Sequence, residues 1–144
     1  MTNTLDHIGI IVGNLEEAIA FYGRTAGLGT PVLKDVPELR IRCAFFDPGG
    51  EGTIIELVEF SGLGDLVHGD VVVALEVADL DEALAHFRSQ GVRVFDQPAT
   101  ENLPLRRGWV LKKDAHGTVI ELCPKGEVAR FVRSRAGARP AHDA

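Results

Sequence analysis

The sequence predicts an α+β domain built from two tandem βαβββ modules, and two observations carry that prediction. The first is a repeat. The stretch "LDHIGIIVGNLEEAIAFY", residues 5–22, returns imperfectly as "DVVVALEVADLDEALAHF", residues 70–87. One shift of 65 residues, anchored on Leu15 and Leu80, also lays "GTIIEL" (52–57) over "GTVIEL" (117–122) without a gap. Two separate stretches agreeing on one offset mark a structural unit written twice. The second observation is that each copy changes its hydrophobic period from two to about 3.6 and back, as a strand–helix–strand unit requires.

Taken in order, each module opens on an alternating apolar run, "HIGIIV" or "VVALEV", that predicts a strand. Asn14 and Asp79 then stand where an N-cap belongs, with Glu17 and Glu82 three positions on, the spacing of a capping box. Leu15, Ala18, Ile19 and Tyr22 follow at helical spacing, matched by Leu80, Ala83, Leu84 and Phe87, so each helix has one apolar face. Gly27 and Gly91 close the helices, where a residue tolerating positive φ is useful. Three strand-like runs complete each module, with turn signals between them. In the first they are "GTPVLKDV", "RIRCAFF" and "TIIELVEF"; in the second, "VRVFDQ", "GWVLKK" and "TVIELC".

The linker "SGLGDLVHGD", residues 61–70, is short, so the modules (about 4–60 and 70–124) are expected to pack as one domain spanning residues 1–125. The remainder, 126–144, carries Arg130, Arg133, Arg135 and Arg139 and reads as a short helix followed by disorder.

Composition narrows the function classes. With 144 residues, 45% hydrophobic and 25% charged, the chain can bury a proper core. A formal net charge of −6 without a basic stripe argues against nucleic acid. No apolar run approaches the roughly 18–20 residues of a membrane helix, and the opening "MTNTLDHIG" lacks signal-peptide features, so a cytoplasmic setting is expected. Cys43 and Cys123 are read as reduced, packed thiols rather than a disulfide framework.

Three polar residues interrupt the apolar strands: His7, Glu56 and Glu121, the last two being repeat mates under the 65-residue shift. Burying a carboxylate costs several kcal/mol unless it is paired or bound to a cation. On residues alone two readings stand. Both glutamates lie on solvent faces, or they converge on one point of a pseudo-symmetric sheet. For a lone strand histidine the structural reading is the better default.

These residues also carry a resemblance. Paired βαβββ modules with His7 in the first strand, "GLG", and the two "IEL" strands resemble the vicinal oxygen chelate superfamily, which includes glyoxalase I, methylmalonyl-CoA epimerase, extradiol dioxygenases and bleomycin resistance proteins. Within it "KDVPELRIRCAFF" is most similar to the epimerase branch. The resemblance implies eight strands in a mixed sheet curled around a cleft, a homodimer, and a divalent ion held by up to four residues. Three ligand positions match, at His7, Glu56 and Glu121, and the fourth falls on Val72. The implied ion is Ni, Co, Zn, Mn or Fe, weakly held or absent, since valine offers no lone pair. His68 and His116, both in expected loops, are the alternative donors.

The resemblance also assigns Glu38, in "VPE", to acid–base catalysis, and either Glu38 or Glu121 is the catalytic carboxylate expected to remove a proton next to a carbonyl. Under the same shift Leu103 takes the place of Glu38 and Trp109 that of Ala44. A substrate pocket walled by Val72, Leu103, Leu105 and Trp109 and facing the polar set would suit an amphipathic small molecule. Arg40, Arg42, Arg106 and Arg107 are candidates to meet an acidic substrate, though arginines beside strands are commonly solvated. The expected function is an isomerase, epimerase or lyase acting on a small carbonyl compound by carboxylate acid–base chemistry. The alternative is a metal-free protein that sequesters an antibiotic or other small molecule, as in bleomycin resistance.

Overall fold

A computed structural model describes residues 2–60 and 65–134. The expected disorder at the far end of the chain, and the start of the inter-module linker, lie outside the described residues.

The first module runs β1 (Thr4–Ile11), α1 (Leu15–Ala20), β2 (Val32–Val36), β3 (Ile41–Phe46) and β4 (Ile54–Phe60). The second runs β5 (Val71–Val77), α2 (Leu80–Ser89), β6 (Phe95–Gln97), β7 (Arg107–Val110) and β8 (Val119–Pro124), and α3 (Glu127–Arg133) follows. The predicted caps form: Asn14 Oδ1 and Asp79 Oδ1 each accept from the backbone N–H three residues on, both at 3.0 Å. Gly27 and Gly91 adopt φ of 79° and 78°, as helix-ending residues in the left-handed region.

All eight strands join one mixed sheet in the order β2-β3-β4-β1-β5-β8-β7-β6, curled into a half-barrel. Each module contributes four neighbouring strands, with β1 parallel to β4 and β5 parallel to β8. The modules meet where β1 pairs antiparallel with β5, and there the repeat mates Ile8 and Val73 face each other. The pseudo-twofold axis therefore passes between them.

Alternation along the strands sorts side chains onto two faces. On one face α1 and the wider helical turn after it (Phe21–Thr25) pack Leu15, Ala18, Ile19 and Tyr22 against Ala44, Phe46 and Leu57, while α2 packs Leu80 and Leu84 against Val77 and Leu122. The other face carries the largest core cluster, and α3 lies in it through Val128, Phe131 and Val132. Phe131 meets Phe45 edge-on at 6.2 Å. The fully buried Lys34 donates to Ser134 O at 2.6 Å and sits 4.9 Å from the Phe131 ring centre.

The repeat is not uniform. Glu56 and Glu121 keep the 65-residue shift, but Phe45 pairs with Glu56 and Trp109 with Glu121, so β3 and β7 are related by 64. Lys34 pairs with Cys43 and Gln97 with Arg107, so β2 and β6 are related by 63. Because side chains alternate faces, a one-residue slip moves a side chain to the other side of the sheet. Trp109 accordingly takes the place of Phe45, not Ala44, and Gly108 takes that of Ala44. Leu103 is no counterpart of Glu38: it lies in the loop between β6 and β7, where the first module has only the short turn Pro37–Leu39 and Arg40.

Candidate metal and acid–base site

His7, Glu56 and Glu121 converge on the inner face of the sheet. Their donor atoms all lie within 4.8 Å of one another, and all three residues are buried, His7 and Glu121 at 1% exposure. Both carboxylates come from the middle of a fourth strand, and His7 stands near the start of β1 between them. His7 Nε2 is 3.3 Å from Glu56 Oε1 and 3.2 Å from Glu121 Oε1. It is aligned with neither for a hydrogen bond, so it is a buried nitrogen without a partner.

The other ring nitrogen is fixed by a residue that the sequence reading passed over. The β1–β5 register shifts between Leu5 and His7, leaving Asp6 as a bulge residue. A regular strand would send Asp6 and His7 to opposite faces; the bulge brings them together. His7 Nδ1 donates to Asp6 Oδ2 at 2.6 Å, the carboxylate–imidazole contact that orients metal-ligating histidines. Gly9, next on that face, keeps the space open: a Cβ there would stand 3.1 Å from Val72 Cβ and 3.7 Å from Glu56 Oε1.

Arg107 completes the cluster. It is 7% exposed and its Nη1 donates to Glu121 Oε2. Its Nη2 donates to Gln97 Oε1 at 3.3 Å, which also accepts from Trp109 Nε1 at 2.6 Å, and the guanidinium lies 5.0 Å from the Trp109 ring. The slip to 64 explains this position. Arg107 corresponds to inward-facing Cys43, whereas Arg42, its mate under a uniform shift, bonds Glu59 and Glu16 on the other side.

The electrostatics follow from burial and neighbours. Burial alone would discourage a charged His7, but the Glu121 charge and the Asp6 hydrogen bond outweigh it and hold its pKa well above the ordinary value. Burial likewise disfavours a Glu121 carboxylate, yet Arg107 and His7 pull its pKa down to about 2. The buried Cys43 thiol is pushed up by burial first and by Glu56 second, so it is a neutral thiol.

A divalent cation fits these residues. Asp6, Glu56 and Glu121 bring three negative charges, while Arg107 returns one and the protonated His7 a second. That leaves one uncompensated negative charge in a buried place, which is costly, and a divalent ion in place of the His7 proton would cancel it. An ion that displaced the proton of His7 would find the Nε2 lone pair beside two carboxylate oxygens, a donor set suited to Mn, Fe, Co, Ni or Zn with open coordination positions. Val72, at the fourth position, is buried beside Gly9 and offers no donor. Neither alternative histidine replaces it. His68 Nδ1 accepts from Gly13 N at 3.1 Å beside α1, and His116 occupies an exposed left-handed turn position at φ 57°.

One cavity adjoins the cluster and a second lies beyond it. The inner one, about 30 Å3, is lined by the His7, Glu56 and Glu121 set together with Val72, Leu103, Leu105 and Trp109, and α3 closes it with Val128 and Phe131. The outer one, about 710 Å3, is lined by Glu38, Arg40, Phe60, Leu66, Phe95 and Trp109 among others. Ile41 and Trp109 line both and form the partition. The four expected pocket-wall residues are therefore gathered at the cluster. Glu38 is instead placed at the outer cavity, exposed, where its carboxylate accepts from Asn102 N at 3.1 Å and Asn102 Nδ2 at 3.2 Å. Backbone donors, its own first and then that of Asn102, lower its pKa to about 2.

A metal-capable cluster at the joint of two βαβββ modules defines a class of protein, and sequence comparison agrees. Residues 4–122 match the family model of the Glyoxalase/Bleomycin resistance protein/Dioxygenase superfamily, and the chain belongs to that superfamily. It is 30% identical to a lactoylglutathione lyase of Neisseria meningitidis over 91% of each chain. It is 29% identical to the uncharacterized protein YqjC of Bacillus subtilis, over 87% of this chain and 95% of that one. Among solved structures it resembles methylmalonyl-CoA epimerase from Mycobacterium tuberculosis, with TM-score 0.66 and 27% identity over 88% of this chain and 90% of that one. A methylmalonyl-CoA epimerase in complex with methylmalonyl-CoA and NH4+ matches with TM-score 0.67 and 26% identity, over 89% and 98%. Among the described residues no helix is long and apolar enough to cross a membrane.

Proposed function

We propose that the chain is an isomerase- or lyase-type enzyme that moves a proton next to a carbonyl group, with a divalent ion held weakly by His7, Glu56 and Glu121. The observation that carries this reading is the buried charge deficit beside the unpartnered His7 Nε2. A bound divalent ion would supply Lewis-acid stabilisation of a developing enolate oxygen. The chain's own residues do the rest. Asp6 holds the His7 ring, and Arg107 holds Glu121. Val72, Leu103, Leu105 and Trp109 keep water out. The outer cavity, within the size range of small-molecule sites, takes the body of the substrate.

Glu38 is the proposed acid–base residue at the mouth of that cavity. With Asn102 donating to it, a pKa of about 2 makes it a poor base at neutral pH. A ligand that displaces those donors and buries the carboxylate would raise that value toward the useful range. Epimerase and lyase relatives support the same class.

The test is α-proton exchange into D2O, followed by proton NMR, with methylmalonyl-CoA and the hemithioacetal of methylglyoxal and glutathione as first probes. Exchange that needs Co or Ni and is lost on the order of a hundredfold in Glu38→Gln is the expected outcome. The rival reading, a metal-free binding protein, is favoured by Val72 and the apolar outer cavity. It would show ligand-dependent change in the fluorescence of Trp109, the only tryptophan, without exchange of any probe's protons.

A further inference from the structure

Resting on the proposed ion site, we infer that Arg107 is a positioning residue that keeps the cation weakly bound and exchangeable, by competing with it for Glu121. Arg107 is not a ligand, and its guanidinium cannot lose its charge. It sits inside the cluster because β7 is slipped by one residue relative to β3, which turns Arg107 inward where the 65-residue shift would have turned it outward with Arg42. It engages Glu121 Oε2 and leaves only Oε1 facing His7 Nε2. Glu121 is therefore set to bind an ion through one oxygen.

The guanidinium is itself over-determined. Gln97 Oε1 accepts from Nη2, and the Trp109 ring lies against it, while Nε has no partner. Arg107 therefore cannot swing away without leaving Gln97 and the ring. A fixed positive charge beside the site opposes a divalent cation at close range in a poorly screened interior. The first module has no such device, since its structural counterpart is the neutral Cys43 beside Glu56. Val72 and Arg107 act in the same direction: one removes a donor and the other occupies part of a second.

The test is calorimetric titration of Co2+ and Zn2+ into metal-stripped protein, with the visible absorption of the Co2+ form as a record of coordination. Arg107→Met is expected to bind Co2+ roughly tenfold or more tightly than the natural protein. It is also expected to change the Co2+ spectrum, because both Glu121 oxygens become available. Arg107→Gln, which retains a donor but no charge, should also bind more tightly, and Arg107→Lys should restore weak binding.

A purely structural role predicts the opposite sign: folded Met and Gln variants would bind less tightly, and that result overturns the inference. Unchanged affinity and spectrum in the Met and Gln variants would overturn it as well, while leaving the ion site intact. If neither the natural protein nor any variant binds Co2+ or Zn2+, the ion site itself is wrong. If Arg107→Met does not fold without an ion, Arg107→Gln, judged by circular dichroism before titration, carries the same comparison.

Discussion

In the first module Glu56 lies beside Cys43, a thiol that burial keeps neutral; in the second, Glu121 lies beside Arg107. The first module gives the joint a histidine at residue 7, and the second gives it Val72. The backbone plan is shared to within one or two residues of register, yet donors and charges are divided unequally. One half holds the imidazole and a carboxylate with only a neutral thiol and that imidazole beside it. The other holds a carboxylate already paired. The comparison teaches that a duplicated fold conserves the places where strands aim side chains, while a slip of one residue in β7 is enough to change what arrives there.

The sharpest way to break this comparison is to neutralise each glutamate in turn. Glu121→Gln would leave the Arg107 guanidinium buried without its counter-ion, which is expected to cost about 3–5 kcal/mol in urea unfolding of the metal-stripped protein. Glu56→Gln removes a negative charge from a cluster that already has too many, so its effect should stay within about 1 kcal/mol. Equal losses from the two substitutions would show that Arg107 does not distinguish the modules.

How much of this was legible in the sequence differs between fold and site. The architecture was written twice, in the repeat and in the paired caps Asn14 and Asp79, and local chemistry of that kind survives into the structure. The three converging residues were visible because each interrupts an apolar strand. Arg107 was not, because its face depends on a slip that no residue pattern announces. Asp6 was missed for a similar reason: strict alternation puts it opposite His7, and only the bulge reverses that. The place of α3 had a signal that could have been used. Val128, Phe131 and Val132 stand at helical spacing amid arginines, and these are the residues that α3 buries.

A smaller effect is expected from restoring symmetry at the joint. Val72→His would put imidazole across the pseudo-twofold axis from His7, giving two histidines and two glutamates around one point. Calorimetric titration of Ni2+ or Zn2+ should then give a dissociation constant roughly tenfold lower than for the natural protein. The gain is limited because β5 has no bulge residue equivalent to Asp6 to orient the new ring. No change would mean that residue 72 does not address the ion site, and the symmetry argument would fail with it.

The smallest effect concerns how α3 is fastened, which is also unequal between modules. Among the described residues two polar contacts tie it to the first module: Lys34 on β2 holds Ser134 O, and Asp47, just after β3, accepts from Arg133 Nε at 2.9 Å and Nη2 at 3.2 Å. The Arg133 side chain is 56% exposed, so solvent screens the pair and its contribution should be small. Its sign with pH is fixed by Asp47. The Arg133 hydrogen bond, and after it the Gly49 N–H, hold the pKa of Asp47 below the ordinary carboxylate value. A carboxylate depressed on folding stabilises the protein above its unfolded pKa and ceases to do so as pH falls through the folded one. Asp47→Asn should therefore be slightly less stable than the natural protein at pH 7, and the difference should close as pH drops below about 4. Urea unfolding of both proteins at pH 7, 5 and 3 measures it. A difference that stayed constant across that range would assign the loss to a poorer Gly49 turn, whose N–H bonds Asp47 Oδ1, and not to the charge that ties α3 to the first module.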